Sequence, residues 1–214
     1  PKETLPYQGV PLRSRAWRAL APLADRVVLQ GRSEAPPGLT PSPDRRPGAG
    51  PLAGLETLLL QAREAGAPGV AVLAVDLPRV TAPVMAHLVE RWRHLEAPHL
   101  GAVVAGAGAD RQPLAGVYGS GLASSLAEWL DTGEDRAVRS WLGSVGHRVV
   151  EVPGKELEAA AGHPEPLLNL NTPDDRRRGE NLAPAAPPLV SVVGWKDSGK
   201  TTTAVTLVRA LAGL

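Results

Sequence analysis

The sequence predicts an α/β fold in which helices cover both faces of a mostly parallel sheet. Short apolar runs alternate along the chain with stretches whose apolar residues recur at helical spacing. The runs are apolar at consecutive positions, as in strands buried on both faces, and loops marked by Gly or Pro separate them from the helices. In such a sheet, ligands bind beyond the carboxyl ends of the strands.

Each predicted element has its own local signal. The strands are apolar runs rich in β-branched residues, expected at 26–30, 69–75 and 100–104. The helices are stretches with apolar residues three or four apart, expected at 11–23, 51–65 and 84–92. Residues 33–50 hold five prolines among polar residues, which predicts an irregular binding loop or a disordered insertion.

The composition excludes several classes of protein. The 214 residues include no cysteine, which excludes a disulfide scaffold, a zinc finger, a thiol nucleophile and an iron–sulfur centre. A formal net charge of +1 predicts neither nucleic acid nor a membrane as a partner. No apolar run approaches the ~18 residues of a membrane span and no signal peptide opens the chain, which predicts a soluble, cytoplasmic protein.

Two segments of the predicted sheet carry candidate ligand-binding residues. Asp76 directly follows the apolar run 70–75, where a carboxylate can bind Mg²⁺ or, alternatively, cap the next helix. Asp44 lies in the proline-rich loop and is either a ligand contact or a solvated charge. The helix entrance that follows admits a phosphate or base closely, or is ordinary helix initiation; its residues are Gly50, Pro51, Leu52, Ala53 and Gly54.

A second group of polar residues lies later in the chain. Asn169 and Asn171 share one side of a predicted short strand, 168–171, and can form one polar site. Thr172 is expected to cap the helix that follows, with Pro173 at its first position. Gln112 and Pro113 precede another apolar run, and Arg136 and Arg139 are either phosphate-binding or surface arginines.

The sharpest motif is near the end of the sequence. Residues 194–201 match the pattern G-x-x-x-x-G-K-[ST]. A strand is expected before it at 189–193 and a helix after it at 202–211. A strand and a helix on either side of the pattern indicate a P-loop rather than a plain Gly-rich turn. In a P-loop, the lysine of this pattern reaches the β- and γ-phosphates of the nucleotide, and the threonine hydroxyl binds Mg²⁺. The P-loop residues are Gly194, Asp197, Ser198, Gly199, Lys200 and Thr201.

Taken in order, several segments resemble the molybdenum cofactor guanylyltransferases, the MobA family of nucleotidyltransferases. They are PKETLP with GVPL at 1–12, GPLAGL at 50–55, Asp-x-Pro at 76–78, Gln-Pro-Leu at 112–114 and NLNTPDD at 169–175. The resemblance covers residues 1–177. The P-loop segment resembles the start of the MobB family, a GTP-binding adaptor of the same pathway.

The resemblance implies a three-layer, Rossmann-like nucleotidyltransferase sheet. It implies a nucleotidyltransferase domain at 1–178, a Pro-rich linker at 179–188 and the start of a MobB-like P-loop domain at 189–214. The family places a Gly-rich phosphate loop before the lysine that Lys2 matches, and this sequence has none, so we expect a chain truncated at both ends. Without the first strand and that loop, we expect these 214 residues to be inactive by themselves.

The resemblance also implies a reaction, the transfer of GMP from GTP to molybdopterin with release of pyrophosphate. Asp76 would bind Mg²⁺ and, with Lys2, serve catalysis at the phosphates. Asp44 and residues 50–54 would face the guanosine, although Gln30 stands where some members have asparagine. The molybdopterin side would be Gln112, Pro113, Arg136, Asn169 and Asn171. Partners would include other cofactor-biosynthesis proteins and acceptor molybdoenzymes.

Two other functions stay open at this point. One is a cytidylyltransferase of the same pathway, or a sugar-nucleotide transferase of the same fold. The other is a P-loop GTP-binding adaptor in which the first domain only docks partners.

Overall fold

The computed structural model describes residues 2–32, 35, 39–132 and 135–182. The strands are β1 (Pro6–Tyr7), β2 (Val10–Pro11), β3 (Val28–Gln30), β4 (Thr40–Ser42), β5 (Gly69–Leu73), β6 (Ala102–Ala105), β7 (Gln112–Gly119) and β8 (Val149–Val152). The α-helices are α1 (Leu12–Leu20), α2 (Pro51–Glu64), α3 (Ala82–Arg93), α4 (Ala123–Thr132), α5 (Val138–Val145), α6 (Gly154–Ala161) and α7 (Pro173–Asn181). The predicted strands and helices in the first hundred residues are confirmed, with ends that differ by a few residues.

The central sheet is mixed, so the expectation of a mostly parallel sheet is wrong. Its strand order is β5-β7-β6-β8, and β7 runs antiparallel to both of its neighbours, while β6 and β8 are parallel. The connection from β6 to β7 is only the loop 106–111, too short for the crossover that a parallel neighbour requires. Apolar runs look alike in either direction, so the sequence pattern did not reveal this reversal.

Two smaller strand pairs lie outside that sheet. β1 and β2 form an antiparallel hairpin whose turn residues, Gln8 and Gly9, both have positive φ, as a type I′ turn requires. β3 and β4 are parallel, with Val28 opposite Thr40 and Gln30 opposite Ser42. The segment 33–50, expected to be irregular throughout, therefore contains a strand. Proline at 41 has no N–H to donate, and its neighbours pair with the β3 segment instead: Thr40 N donates to Val27 O at 3.3 Å, and Ser42 O accepts from Gly31 N at 2.8 Å.

The core has two parts, one on each face of the central sheet. Helices α2, α4 and α5 pack on one face, where Trp141 stacks on Tyr118 with 6.2 Å between ring centroids. Helices α1, α3 and α6 pack on the other face around Met85 and Leu88. Helices on both faces were predicted, and the aromatic core residues are Trp and Tyr because the sequence contains no Phe.

The final described helix closes over the first hairpin. The Tyr7 hydroxyl, fully buried, donates to the carbonyl oxygen of Gly179 in α7 at 2.7 Å. Thr172 caps α7 and forms a capping box with Asp175, as the sequence predicts. Helix α7 extends to Asn181. The predicted domain boundaries stay predictions. The predicted P-loop, residues 194–201, lies outside the described residues and also stays a prediction. None of the described helices has the length and hydropathy that crossing a membrane requires.

Candidate functional site

The carboxyl ends of β3, β5 and β6 meet at one edge of the molecule, here termed the carboxyl edge. β5 and β6 run in the same direction because both are antiparallel to β7. Helix α2 leads back into the start of β5, so its first turn lies near the end of β5. Gly54, in that first turn, contacts the side chain of Gln30 at the end of β3. The residues after β3 and β5 are therefore neighbours, and those after β6 lie along the same edge with β7 between.

Gln30 and Asp44 form a polar pair on the α2 side of this edge. Gln30 Nε2 donates to Asp44 Oδ1 at 2.7 Å, and the buried Gln30 Oε1 has no hydrogen-bond partner in the described structure. A Cβ added to Gly54 would lie 3.0 Å from Gln30 Cγ and 3.4 Å from Asp44 Oδ1. The absence of a side chain at Gly54 thus leaves room for the pair, and Gln30 Oε1 is a buried acceptor whose hydrogen-bonding capacity the described residues do not use.

The loop that carries Asp44 is fixed to α2 by its next two residues. The backbone N–H of Arg45 donates to Thr57 Oγ1 at 3.0 Å, and Arg46 Nε donates to both carboxylate oxygens of the buried Glu56. Gly50 adopts φ +77°, a conformation that favours glycine, and Pro51 then begins the helix. The helix entrance predicted from the sequence therefore holds Asp44 in position.

Asp76 lies just after β5, half-buried at the carboxyl edge. Its backbone carbonyl accepts a hydrogen bond from Leu170 N at 2.9 Å, which brings the segment 169–171 beside it. Asn169 Oδ1 is buried without a partner among the described atoms, and Asn171 is exposed. The expected strand at 168–171 is wrong, because this segment is bound to a turn rather than to a strand ladder.

An unpredicted arginine joins the two halves of this arrangement. Arg79, only 4% exposed, donates from Nη2 to the carbonyl of Pro164 at 2.9 Å and from Nε to that of Glu165 at 3.3 Å. It thereby fixes the chain that leads into Asn169 to the turn that follows Asp76. Its position three residues after Asp76 was visible, but no pattern marked it as buried.

The loop 106–111 is held by a separate group of charges. Glu151 accepts from Gly108 N at 2.7 Å and from Arg111, and Arg139 donates to the carbonyls of Gly108, Ala109 and Arg111. The Gly108 hydrogen bond, with help from Arg111, lowers the pKa of Glu151. Arg139 therefore acts on the backbone of this loop, a role that the sequence did not suggest.

The remaining residues assigned to the molybdopterin side lie around that loop. Gln112 begins β7 and pairs with Ala105 across a register shift, and Pro113 follows it. Arg136 is exposed, three residues before Arg139. These three residues are thus on the β6 side of Asp76, whereas Asp44 and the α2 entrance are on the other. Lys2 begins a 3₁₀ turn, and its side chain lies outside what the structure describes.

The chemistry of the site limits how it can bind a metal. No group of three or more His, Asp or Glu side chains converges in the described parts of the chain. Asp76 supplies one carboxylate, and Mg²⁺ at nucleotides is bound by one or two carboxylates with phosphate oxygens completing the shell. The residues present therefore fit a nucleotide-bound Mg²⁺ and not a metal held by protein ligands alone.

Comparison with known proteins agrees with this architecture. The model of the MobA-like NTP transferase domain matches residues 1–149. A molybdenum cofactor guanylyltransferase of Rhizobium johnstonii is 35% identical over 62% of each chain, and one of Rhizobium leguminosarum bv. trifolii is 37% identical over 64%. The match thus spans less than two thirds of the length of these two relatives. A probable molybdenum cofactor guanylyltransferase of Opitutus terrae is 33% identical over 83% of this chain and 85% of its own.

Two solved structures share the fold. Molybdopterin-guanine dinucleotide biosynthesis protein A of Archaeoglobus fulgidus has a TM-score of 0.60 at 22% identity, over 84% of this chain and 88% of its own. The 2-C-methyl-D-erythritol 4-phosphate cytidylyltransferase of Thermus thermophilus has a TM-score of 0.61 at 19% identity, over 84% of this chain and 92% of its own. The fold, the matched domain and these relatives agree, and the chain belongs to the MobA-like NTP transferase domain family.

Proposed function

We propose that this protein is a molybdenum cofactor guanylyltransferase, which transfers GMP from GTP to molybdopterin and releases pyrophosphate. The observation that carries the proposal is the place of Asp76 at the carboxyl edge. The Gln30–Asp44 pair and the α2 entrance lie at the same edge, and the Leu170–Asp76 hydrogen bond brings Asn169 and Asn171 beside it. Asp76 thus lies between residues proposed for the nucleotide and residues proposed for the acceptor substrate.

The Gln30–Asp44 pair supports guanine as the base. Guanine presents two neighbouring donors, N1–H and the exocyclic N2 amino group. The Asp44 carboxylate and the orphaned Gln30 Oε1 are both acceptors. Cytosine presents one exocyclic amino group beside two acceptors, N3 and O2. At least one of these acceptors would face an acceptor oxygen of the pair, which is unfavourable. We therefore assign the base to Gln30 and Asp44, and the ribose and phosphates to the space between Gly50–Gly54 and Asp76.

The transfer needs positioning more than acid–base chemistry. A terminal phosphate oxygen of molybdopterin attacks the α-phosphorus of GTP in line, a new P–O bond forms, and the bond to the β-phosphate breaks as pyrophosphate leaves. Since the attacking phosphate is already an anion, no protein base is required. Asn169, Asn171, Gln112, Pro113 and Arg136 would orient the pterin side, and Lys2 would contact phosphate.

Mg²⁺ bound at Asp76 would neutralise charge on the phosphates. The chain's own contribution is to hold that carboxylate still: the hydrogen bond from Leu170 and the Arg79 contacts fix the turn on which Asp76 lies. The P-loop residues 194–201, including Lys200 and Thr201, would belong to a separate GTP-binding adaptor segment. The protein's partners would be other cofactor-biosynthesis proteins and acceptor molybdoenzymes.

The test is product formation with either nucleotide. Purified protein is incubated with molybdopterin, Mg²⁺ and GTP or CTP, and the dinucleotide and pyrophosphate are quantified while nucleotide binding is measured by calorimetry. We now expect product from GTP, in place of the inactivity expected from the sequence, and a loss of roughly 100-fold or more in Asp76→Asn. The matched control is Glu128→Gln, an isosteric change at an exposed position of α4.

The outcomes separate the alternatives. Turnover with CTP only would make the protein a cytidylyltransferase, and full activity of Asp76→Asn would overturn the metal assignment. GTP that binds at this site without transfer would agree with the expectation that these 214 residues are inactive by themselves. GTP binding that Asp44→Asn and Asp76→Asn leave unchanged would favour the P-loop adaptor function.

A further inference from the structure

Asp76 and the buried Arg79 lie at equivalent positions of two consecutive turns. Leu77 N donates to Ala74 O at 3.3 Å in the first turn. Val80 N donates to Leu77 O at 3.1 Å in the second, so each residue is the third of its turn. The side chains of Leu77 and Val80 are buried in the core and anchor the second turn. The backbone of Arg79 is therefore a fixed point one turn away from Asp76.

Three consecutive residues place hydrogen-bond acceptors around the Arg79 guanidinium. Its Nη2 donates to the carbonyl of Pro164 at 2.9 Å, and its Nε donates to that of Glu165 at 3.3 Å. The Nδ1 atom of His163 lies 3.2 Å from the same Nη2, and the His163 side chain is itself buried. We term Arg79 together with residues 163–165 the arginine clamp. The clamp joins the turn after Asp76 to the segment that leads to Asn169.

The geometry assigns the proton of the His163 ring. A guanidinium has donors only, whereas a neutral imidazole has one donor and one acceptor nitrogen. A proton on Nδ1 could be donated to the Pro164 carbonyl, 3.0 Å away, but it would leave two donors 3.2 Å apart in a buried site. Nδ1 is therefore the acceptor, and the ring proton lies on Nε2. A substitution that keeps an acceptor at Nδ1 can thus be compared with one that removes it.

Glu165 has a backbone conformation that its surroundings must maintain. Its φ is +52°, in the left-handed region that residues other than glycine rarely adopt. Glu165 N donates to Glu158 Oε1 at 3.1 Å, and its carboxylate accepts from Arg178 Nη2 at 2.8 Å. Such conformations cluster at functional sites, where surrounding contacts hold them. The contacts from α6 and α7 therefore keep the Glu165 carbonyl within reach of Arg79.

The arginine clamp continues directly into the segment that contacts Asp76. Leu168 N donates to the Glu165 carbonyl at 3.3 Å, and Leu170 N donates to the Asp76 carbonyl at 2.9 Å. Asp76 is thus held through its own turn and through the segment 165–170, and Arg79 contacts both. Loosening the clamp would weaken both attachments together.

We propose that His163 is a positioning residue for the transfer, which acts through Arg79 to hold the Asp76 carboxylate where a nucleotide-bound Mg²⁺ can reach it. The role of Asp76 in this proposal rests on the proposed function. The arginine clamp needs no nucleotide, so its effect on the backbone can be measured separately. A residue that served only the fold would change overall stability and leave the Mg²⁺ requirement as it is.

The first test compares His163→Asn with His163→Leu by hydrogen exchange without nucleotide. The two side chains have the same branched shape, but only asparagine can place an oxygen near the position of Nδ1. We expect the amides of Leu170 and Val80 to exchange at least about tenfold faster in His163→Leu, and within about threefold of wild type in His163→Asn. His147→Leu, at an exposed position, is the control and should match wild type.

Three results of this test would overturn the proposal. They are unchanged exchange in His163→Leu, equal acceleration in His163→Leu and His163→Asn, and uniform acceleration over the central sheet. The last result would make His163 a residue of the fold as a whole.

The second test measures the Mg²⁺ requirement of transfer in the same proteins. We expect the half-saturating Mg²⁺ concentration to rise about tenfold or more in His163→Leu and to stay within about twofold of wild type in His163→Asn. The rate at saturating Mg²⁺ should be nearly unchanged. An unchanged Mg²⁺ requirement in His163→Leu overturns the positioning role. Absence of product from wild type would count against the proposed function alone, because the exchange test decides the clamp without nucleotide.

Discussion

The side-chain amide of Gln30 donates to the Asp44 carboxylate at 2.7 Å, and this hydrogen bond joins the end of β3 to the loop after β4. The two residues are 14 positions apart, and both contact the space above Gly54. We propose that this pair recognises the base, so it is the first feature to alter.

Gly54→Ala is predicted to weaken GTP binding without lowering stability. Alanine in a helix interior stabilises by roughly 0.5–1 kcal/mol relative to glycine. The new Cβ, however, would lie 3.0 Å from Gln30 Cγ and displace the flexible side chain. We expect at least about a tenfold loss of GTP affinity, measured by calorimetry, with an unchanged or higher urea midpoint. Gly143→Ala is the control, because nothing lies within 4 Å of its Cβ; an equal effect on affinity there would contradict the prediction.

Asp44→Asn is predicted to reduce GTP affinity by about 10- to 100-fold, because the substitution replaces an acceptor of two donors by an amide and removes a charge-assisted hydrogen bond. CTP affinity, if measurable, should change by much less. Calorimetric titration of both nucleotides into wild type, Asp44→Asn and Glu128→Gln checks this. A parallel loss for GTP and CTP would place Asp44 at the phosphates or the fold rather than at the base.

Glu151 is predicted to make stability pH-dependent in the acid range. Its pKa is lowered in the folded protein by the Gly108 hydrogen bond and by Arg111, so its contribution is complete above the unfolded pKa and is lost as the pH falls through the folded pKa. Glu151→Gln should therefore cost about 1 kcal/mol at pH 7. The difference in free energy of unfolding between Glu151→Gln and wild type should disappear below about pH 4.

Urea unfolding of both proteins between pH 7 and pH 3 measures this difference. Glu128→Gln, exposed on α4, serves as the control and should follow wild type throughout. A difference in free energy of unfolding that stays constant with pH would mean that packing, rather than the charge of Glu151, explains the effect of Glu151→Gln.

Tyr7→Phe is predicted to cost about 1 kcal/mol, because it removes the hydroxyl donor to the buried Gly179 carbonyl, which then keeps the longer hydrogen bond from Leu182 N at 3.2 Å. The loss should appear mainly as faster hydrogen exchange in α7, which this bond ties to the first hairpin. Hydrogen exchange followed by mass spectrometry measures it helix by helix. A uniform increase over the central sheet would instead indicate a global effect.

Sequence reasoning predicted what depends on local pattern. The strand at Gly69–Leu73, the helix Pro51–Glu64 and the cap at Thr172 each follow from residues within a few positions, and the structure confirms them. Asp76 was expected directly after a strand for the same reason; β5 ends at Leu73, and Asp76 lies in the turn that follows.

What the pattern missed depends on distant partners. The direction of β7 is set by the length of the 106–111 loop together with pairing on both sides, and the strand at Thr40–Ser42 exists only because β3 lies beside it. No prediction was made for Arg79, and Arg139 was expected to bind phosphate or to be a surface arginine, because the backbone carbonyls that they bind carry no sequence signature.

The reversal of β7 has a consequence for divergence. Since β6 and β7 are antiparallel, the loop 106–111 leaves the sheet and returns to it at the same carboxyl edge. Residues can be inserted or deleted there without shifting the register of any strand or moving Asp76. With the acceptor on this side, as we propose, a transferase built on this sheet can exchange its acceptor substrate by changes in one hairpin while the nucleotide side stays constant.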